Sequence, residues 1–131
     1  MPEQSPAILV VEDDEDVRDT ISEMLRRSGF QVQTAATGLE ALAIIDERPF
    51  DMLIADIGLP GGINGLEMTQ CARVHRPALK CLFISGKRDP VVVDPELDDF
   101  MTKPFQAFEL IGCVWKVLRG NYPRPRVEIA R

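Results

Sequence analysis

Three carboxylates, a hydroxyl and an amine stand at the ends of short apolar segments of this sequence. They belong to Glu12, Asp13, Asp56, Ser85 and Lys103. If the apolar segments form parallel strands, their carboxyl ends open onto one edge of the sheet, where ligands bind in proteins of this architecture. We therefore expect the five side chains to meet in one crevice.

The charges of such a crevice determine the chemistry that it supports. Three carboxylates that lie close together repel one another unless a cation neutralises them, and oxygen ligands suit Mg²⁺ or Mn²⁺. A metal ion and the Lys103 ammonium beside Asp56 keep that carboxylate ionised and counter the charge of a transferred phosphoryl group. The pattern predicts an aspartyl-phosphate site.

The strands that position these residues alternate with segments of helical period, a pattern typical of a parallel sheet covered on both faces. We predict an α/β fold with a doubly wound, five-stranded parallel sheet. The predicted strands are Ala7 to Val11, Phe30 to Ala35, Asp51 to Asp56, Leu79 to Ile84 and Phe100 to Thr102. The second of them alternates apolar and polar residues, as a half-exposed edge strand does.

Helical segments follow the first three strands and the last. Asp13 or Asp14 alone would suffice to cap the first helix, which is the structural alternative to a cation site there. Capping-box spacing opens the second helix at Thr37 and the third at Asn64. In the last helix we assign these residues to the apolar face: Phe108, Leu110, Ile111, Val114, Trp115 and Leu118.

Two segments lack this regularity. Pro90 and Pro95 interrupt the stretch from Lys87 to Asp99, so we expect a fourth helix between the last two strands to be short or absent. Residues 120–131 are basic and rich in proline, and we interpret them as a C-terminal tail. The expected organisation is one domain over residues 6–119, the tail, and no output domain.

Composition narrows the classes of function. The chain has 131 residues with 15 Lys and Arg against 21 Asp and Glu, and its net charge of −6 argues against nucleic acid as the principal partner. The three cysteines, at positions 71, 81 and 113, form no CxxC pair and are expected to be reduced, buried or half-buried thiols. No segment has the length and apolar character of a membrane anchor, so we expect a cytoplasmic protein.

Five motifs in order resemble the receiver domain of two-component response regulators. They are VVEDD (Val10 to Asp14), LIAD (Leu53 to Asp56) with Leu59-Pro60, NGLE (Asn64 to Glu67), FISG (Phe83 to Gly86) and TKPF (Thr102 to Phe105). The resemblance covers about residues 6–119. It implies the flavodoxin-like strand order 2-1-3-4-5 and a magnesium-dependent switch that accepts a phosphoryl group in a phosphorelay.

The resemblance also implies roles for individual residues. Asp56 would be the phosphoacceptor, with Asp13 a direct ligand of Mg²⁺ (or Mn²⁺), Glu12 acting through water, and the Gly58 carbonyl oxygen completing the metal site. The remaining roles concern the phosphoryl group and the switch. Lys103 would pair with the phosphoryl oxygens, and Ser85 would bind another of them. Phe100 occupies the position of the aromatic switch residue of the family, and the Lys103–Pro104 bond is expected to be cis.

Partners follow from the same resemblance. They would be a sensor histidine kinase or a histidine phosphotransfer protein, together with a downstream protein target. A homodimer is also compatible with the sequence, whereas direct contact with nucleic acid and insertion into a membrane are not expected.

Several residues depart from the family pattern. The loop from Gly58 to Gly65 contains an extra glycine, and only 18 positions lead from Ser85 to Lys103. The FISGKR segment resembles a Phe-Ala-Thr-Gly-x-Tyr subgroup of receivers, with Arg88 in place of its tyrosine. Two other functions therefore stay open: a phosphorylation-independent adaptor with a receiver fold, and a metal-dependent phosphohydrolase, for which no clear second acid or substrate cap is found.

Overall fold

A computed structural model describes residues 5–86 and 94–120 of the chain. Strands and helices alternate from the start of this part, and β5 follows β4 without an intervening helix among the described residues. The elements are β1 (Ala7–Val11), α1 (Glu15–Arg27), β2 (Gln31–Ala35), α2 (Gly38–Glu47), β3 (Met52–Asp56), α3 (Gly65–His75), β4 (Lys80–Ser85), β5 (Asp98–Thr102) and α4 (Ala107–Arg119).

All neighbouring strands are parallel, and their order is β2-β1-β3-β4-β5. The fold class predicted from the sequence is therefore confirmed. The strand β2 lies at an edge and is half-exposed, as its alternating residues predict. The register places Asp56 opposite Ile84, and Ser85 opposite Thr102, so the carboxyl ends of the three strands that follow β1 in the sheet meet at one rim.

The core has two layers, one on each face of the sheet. Side chains of α2 and α3 pack on one face around Phe83, and those of α1 and α4 pack on the other around Ile54. Every residue of β3 is buried, because this central strand is covered on both faces. The two layers hold the strand that carries Asp56 rigidly between them.

Local signals set the helix ends. Asp14 caps α1 by accepting the Asp16 and Val17 N–H groups, and Gly29, with φ of 94°, ends it in the left-handed region. Asn64 and Glu67 form the predicted capping box of α3. The box predicted for α2 is incomplete, since the Glu40 carboxylate accepts the Ala36 N–H rather than that of Thr37.

The structure corrects two expectations at the end of the chain. The strand β5 begins at Asp98, two residues before the predicted start at Phe100. In α4, Phe108 is 72% exposed and Trp115 is 38% exposed, although Trp115 still contacts the Phe30 ring at 5.1 Å. The centre of the face that packs on the sheet is formed instead by Leu110, Val114 and Val117.

The connection from β4 to β5 is described in part. Residues 94–97 form a turn in which Asp94 accepts the Leu97 N–H, and the expected short fourth helix otherwise falls on residues 87–93, outside the described part. The proposed tail likewise lies outside it from residue 121 onward. Among the helices that the structure does describe, none is both long and apolar enough to cross a bilayer.

Candidate functional site

Three carboxylates converge at the carboxyl rim of the sheet. Glu12 and Asp13 lie in the loop between β1 and α1, and Asp56 is the last residue of β3. One oxygen from each of them lies within 4.8 Å of the others. Glu12 is 1% exposed and Asp56 8% exposed, whereas Asp13 faces solvent, so the cluster is open on one side only.

Lys103 joins this cluster from the end of β5. Its Nζ donates to Glu12 Oε1 at 2.9 Å and to Asp56 Oδ2 at 3.1 Å. Its backbone N–H donates to the Ser85 carbonyl oxygen at 2.7 Å, which places the residue directly beyond β4. The peptide bond between Lys103 and Pro104 is cis.

Glu12 and Lys103, in the centre of the cluster, shift each other's pKa. Burial raises the pKa of Glu12, and the nearby charge of Asp56 adds to that effect, while hydrogen bonds from Lys103 and the Asp14 N–H oppose it. Burial acts to lower the pKa of Lys103, but the hydrogen bonds and charges of Glu12 and Asp56 outweigh it and raise that pKa. Lys103 is therefore a fixed positive charge between two carboxylates.

Asp56 is held on its other side by the loop that follows β3. The Gly58 N–H donates to Asp56 Oδ1 at 2.9 Å, and Gly58 itself is exposed. Each carboxylate oxygen of Asp56 therefore accepts one hydrogen bond, from an ammonium group on one side and a backbone amide on the other. These two donors orient the carboxylate at the mouth of the crevice.

Ser85 and Phe100 occupy the flank of the site nearest to β5. Ser85 is the last residue of β4 and is 7% exposed, one position beyond the residue paired with Asp56. Phe100 pairs with Phe83 across β4 and β5, and its half-buried ring packs against the core layer of α2 and α3. The two residues are thus adjacent to the rim, and Phe100 connects it to one layer of the core.

The neighbouring acids Asp13 and Asp14 have different structural partners. Asp14 caps α1, whereas the carboxylate of Asp13 belongs to the cluster with Glu12 and Asp56. Helix capping therefore accounts for one of the two acids and leaves the other free for a ligand. An oxygen donor set of three carboxylates fits Mg²⁺ or Mn²⁺, for which Glu12, Asp13 and Asp56 would supply the ligands.

Sequence reasoning missed two residues that support the site. Arg18, which helical spacing assigns to the outer side of α1, donates to the Glu12 carbonyl oxygen at 2.9 Å and to that of Asp13 at 3.4 Å. Gly65, expected only as part of a helix cap, lies directly against the Asp56 peptide. The contact of Arg18 could have been predicted, because this arginine lies one turn inside a helix that follows an acidic loop. The sequence contains no comparable signal for the contact of Gly65.

The cysteines are distributed differently from the expectation. Cys81 is buried and Cys113 half-buried as predicted, but Cys71 is exposed on α3. Because α3 packs on the sheet through Met68, Thr69 and Ala72, position 71 falls on its outer side.

Comparison with known proteins identifies relatives over most of the chain. Residues 8–114 match the family described as the response regulator receiver domain. The chain is 38% identical over 117 residues to the uncharacterized transcriptional regulatory protein YrkP of Bacillus subtilis, covering 86% of this chain and 49% of that protein. The chain spans about half the length of the curated relatives that it matches.

Solved structures with the same architecture include two receiver domains. A CheY-like receiver domain protein from Methanospirillum hungatei JF-1 has a TM-score of 0.78 and 27% identity, covering 88% of this chain and 94% of that one. The receiver domain of the hybrid histidine kinase CckA has a TM-score of 0.74 and 34% identity, covering 86% and 98% respectively.

Proposed function

This chain belongs to the response regulator receiver domain family, and from that premise we propose that it is a phospho-accepting switch of a two-component system. It takes a phosphoryl group onto Asp56 and signals through contacts with other proteins. It is a switch that modifies itself rather than an enzyme that turns over a separate substrate. One observation carries the proposal: Lys103 Nζ lies 3.1 Å from Asp56 Oδ2 beside a cluster of three carboxylates.

Each residue of the rim has a part in this proposal. Asp13, Asp56, the Gly58 carbonyl oxygen and, through water, Glu12 would hold Mg²⁺ (or Mn²⁺), which would supply positive charge against the incoming phosphoryl group. Lys103 pairs with phosphoryl oxygens from the other side. Ser85 donates to a further oxygen, and Phe100 passes the change to the core layer against which it packs.

The chemical step is a transfer between two nucleophiles. A carboxylate oxygen of Asp56 attacks phosphorus, the bond from phosphorus to the imidazole nitrogen of a phosphohistidine breaks, and the imidazole leaves with its electron pair. The Gly58 N–H and the Lys103 ammonium hold the carboxylate in place for this attack. Hydrolysis of the resulting acyl phosphate later restores Asp56 and resets the switch.

The partners in this proposal are a sensor histidine kinase or histidine phosphotransfer protein and a downstream protein target. The transcriptional regulators among the relatives span about twice the matched length, and we assign no nucleic-acid contact to this domain, whose chain carries a net charge of −6. We place the protein in the cytoplasm, in accord with its free cysteines.

Beryllofluoride with Mg²⁺, a mimic of the bound phosphoryl group, tests the switch. Amide resonances near Asp56, Ser85 and Lys103 are expected to shift in the wild-type protein and to stay unchanged in Asp56→Asn. Phosphoryl incorporation from acetyl phosphate, followed by intact mass, is expected to require both Asp56 and the metal. No spectral change, or the same change in Asp56→Asn, would reject the switch and leave the phosphorylation-independent adaptor as the function of this fold.

A further inference from the structure

The first turn of α3 lies in contact with the backbone of Asp56. Gly65 is the first residue of α3 and is buried. A Cβ atom at this position would lie 2.3 Å from the Asp56 carbonyl oxygen, 2.9 Å from its carbonyl carbon and 3.1 Å from the Ile57 Cα. All three of these atoms belong to the backbone, so no side-chain rotation relieves the overlap.

Hydrogen bonds hold the two segments together at this contact. The Gly65 N–H donates to the Ile57 carbonyl oxygen at 3.0 Å, and the Thr69 hydroxyl donates to the Gly65 carbonyl oxygen at 2.9 Å. Asn64 and Glu67 close the capping box around the same turn. The turn is therefore anchored at both ends and has little freedom to move away from β3.

The loop between β3 and α3 thus contacts Asp56 at two points. At the start of the loop, the Gly58 N–H donates a hydrogen bond to the carboxylate, and at its end, Gly65 packs against the Asp56 peptide. The carboxylate on this peptide must remain 3.1 Å from Lys103 and within 4.8 Å of the oxygens of Glu12 and Asp13. Any displacement of the peptide changes these distances, on which the proposed metal and phosphoryl chemistry depends.

We propose that Gly65 is a positioning residue for Asp56: the missing side chain allows the first turn of α3 to fix the Asp56 peptide, and thereby its carboxylate, in register with Lys103 and the two other acids. This inference rests on the proposed function of Asp56. It predicts that a single methyl group at position 65 disturbs the site more than it disturbs the fold.

Gly38 provides a matched control. It is likewise buried, is the first residue of α2, and is crowded, since a Cβ atom there would lie 2.7 Å from Ile63 Cγ1. Its two nearest neighbours are Cγ1 and Cδ1 of the Ile63 side chain, which can rotate away, and the third, Met68 Cβ, lies farther off at 3.3 Å. Gly38→Ala therefore adds the same methyl group at the same helix position without pressing on the backbone of Asp56.

The experiment compares Gly65→Ala, Gly38→Ala and the wild-type protein. Mg²⁺ affinity is measured by calorimetry, phosphoryl incorporation from acetyl phosphate by intact mass, and stability by urea unfolding. We expect Gly65→Ala to weaken Mg²⁺ binding and slow incorporation at least about tenfold, and Gly38→Ala to change each by less than about twofold. Equal losses in the two variants, or full retention of both properties in folded Gly65→Ala, would overturn the proposal.

A second variant decides the question if Gly65→Ala does not fold. Asn64→Ala removes the cap of the same turn and leaves Gly65 in place, and we expect it to weaken Mg²⁺ binding by about threefold through loosening of that turn. Unchanged affinity in Asn64→Ala would then contradict the positioning role.

Amide spectra of the metal-free proteins separate this inference from the proposed function. Gly65→Ala is expected to shift the resonances of Asp56, Ile57 and Lys103, and Gly38→Ala to leave them in place. If the wild-type protein binds no Mg²⁺ and accepts no phosphoryl group, the proposed function fails, while these spectra still decide whether Gly65 positions Asp56. Unshifted resonances in folded Gly65→Ala would reject the positioning role alone.

Discussion

Lys103 would compete with the proposed metal ion for the same oxygens. Its ammonium lies 2.9 Å from Glu12 and 3.1 Å from Asp56, two of the three carboxylates that would surround the cation. We predict that Lys103→Ala binds Mg²⁺ about tenfold more tightly than the wild-type protein, a gain of about 1.4 kcal/mol, because a positive charge leaves the site. Calorimetric titration measures this effect.

Lys116 is the control for that substitution. Its ammonium is half-exposed and pairs at 3.3 Å with Asp99, which does not belong to the cluster of Glu12, Asp13 and Asp56. Lys116→Ala removes the same charge from the molecule and is expected to leave Mg²⁺ affinity unchanged. Weaker or equal binding in Lys103→Ala would contradict the competition between the two cations.

The three thiols are expected to differ in reactivity. Burial raises the pKa of Cys81 far above its usual range and also raises that of Cys113, to which the charge of Asp99 contributes. A raised pKa lowers the fraction of reactive thiolate at any given pH. We predict that iodoacetamide alkylates exposed Cys71 first, Cys113 next and Cys81 at least about tenfold more slowly than Cys71.

Peptide mass mapping during the reaction gives the order of alkylation. In urea the three rates are expected to converge, because unfolding removes the burial that separates them. Fast labelling of Cys81 in the folded protein would show that its surroundings in β4 open to solvent.

At the scale of single residues, the sequence predicted which side chains meet at the ends of the strands. Asp56 and Lys103 lie together because parallel strands finish at one rim, and this follows from residue type and position alone. The contact of Arg18 with two carbonyl oxygens depends on the path of the loop before α1, and the exposure of Phe108 shows that its side chain lies off the face that packs on the sheet. Neither of these is determined by helical spacing.

At the scale of elements, two adjacent acids differ in role: one caps a helix, and the other belongs to the proposed metal site. Asp14 caps α1 and Asp13 faces the acidic cluster. We predict that Asp14→Ala lowers the free energy of unfolding by about 1 kcal/mol and largely retains Mg²⁺ affinity. Asp13→Ala is expected to weaken Mg²⁺ binding, because it removes a proposed ligand. It is also expected to raise the free energy of unfolding, because it relieves repulsion among the carboxylates.

Urea unfolding without metal, followed by Mg²⁺ titration, checks both variants of this pair. Since each replaces one Asp by Ala in the same loop, each is the control of the other. Loss of stability in Asp13→Ala with no loss of affinity would reverse the assignment.

Some element boundaries are set by neighbouring residues, and others involve residues far apart in the chain. Asp14 and Gly29 bound α1 and Asn64 begins α3, and each of them acts within a few residues of the chain. The sequence predicted the cap at Asn64 and left Asp13 and Asp14 as alternatives for α1. At the early start of β5, by contrast, the Asp98 carboxylate accepts a hydrogen bond from Arg73, 25 positions away, and no local pattern reveals that contact.

At the scale of the whole molecule, a buried ion pair ties α3 to the edge strand β5. The guanidinium of Arg73 donates to both carboxylate oxygens of Asp98, whose side chain is 2% exposed, and to the Leu79 carbonyl oxygen. The Asp94 N–H donates to the same carboxylate at 2.9 Å. This network joins a helix, two strand starts and the connection between β4 and β5.

Breaking this pair is expected to destabilise the entire fold. Arg73→Ala removes the guanidinium that pairs with the buried Asp98 carboxylate, and we predict a loss of about 3 kcal/mol in the free energy of unfolding by urea. Arg27→Ala is the matched control, since its pair with Glu23 is exposed and its loss is expected to cost about 0.5 kcal/mol or less. Equal effects would show that the Arg73 pair contributes no more than a surface contact.

The acidic cluster and Lys103 lie at the carboxyl rim of the sheet, and the opposite end of the molecule contains turns such as the exposed Pro77 and Ala78 before β4. A coupling handle introduced at Ala78 would therefore attach the protein to a sensor chip by the end away from this cluster. Every immobilised molecule would then face the flow with its acidic crevice, in one orientation, ready for a kinase passed over the surface.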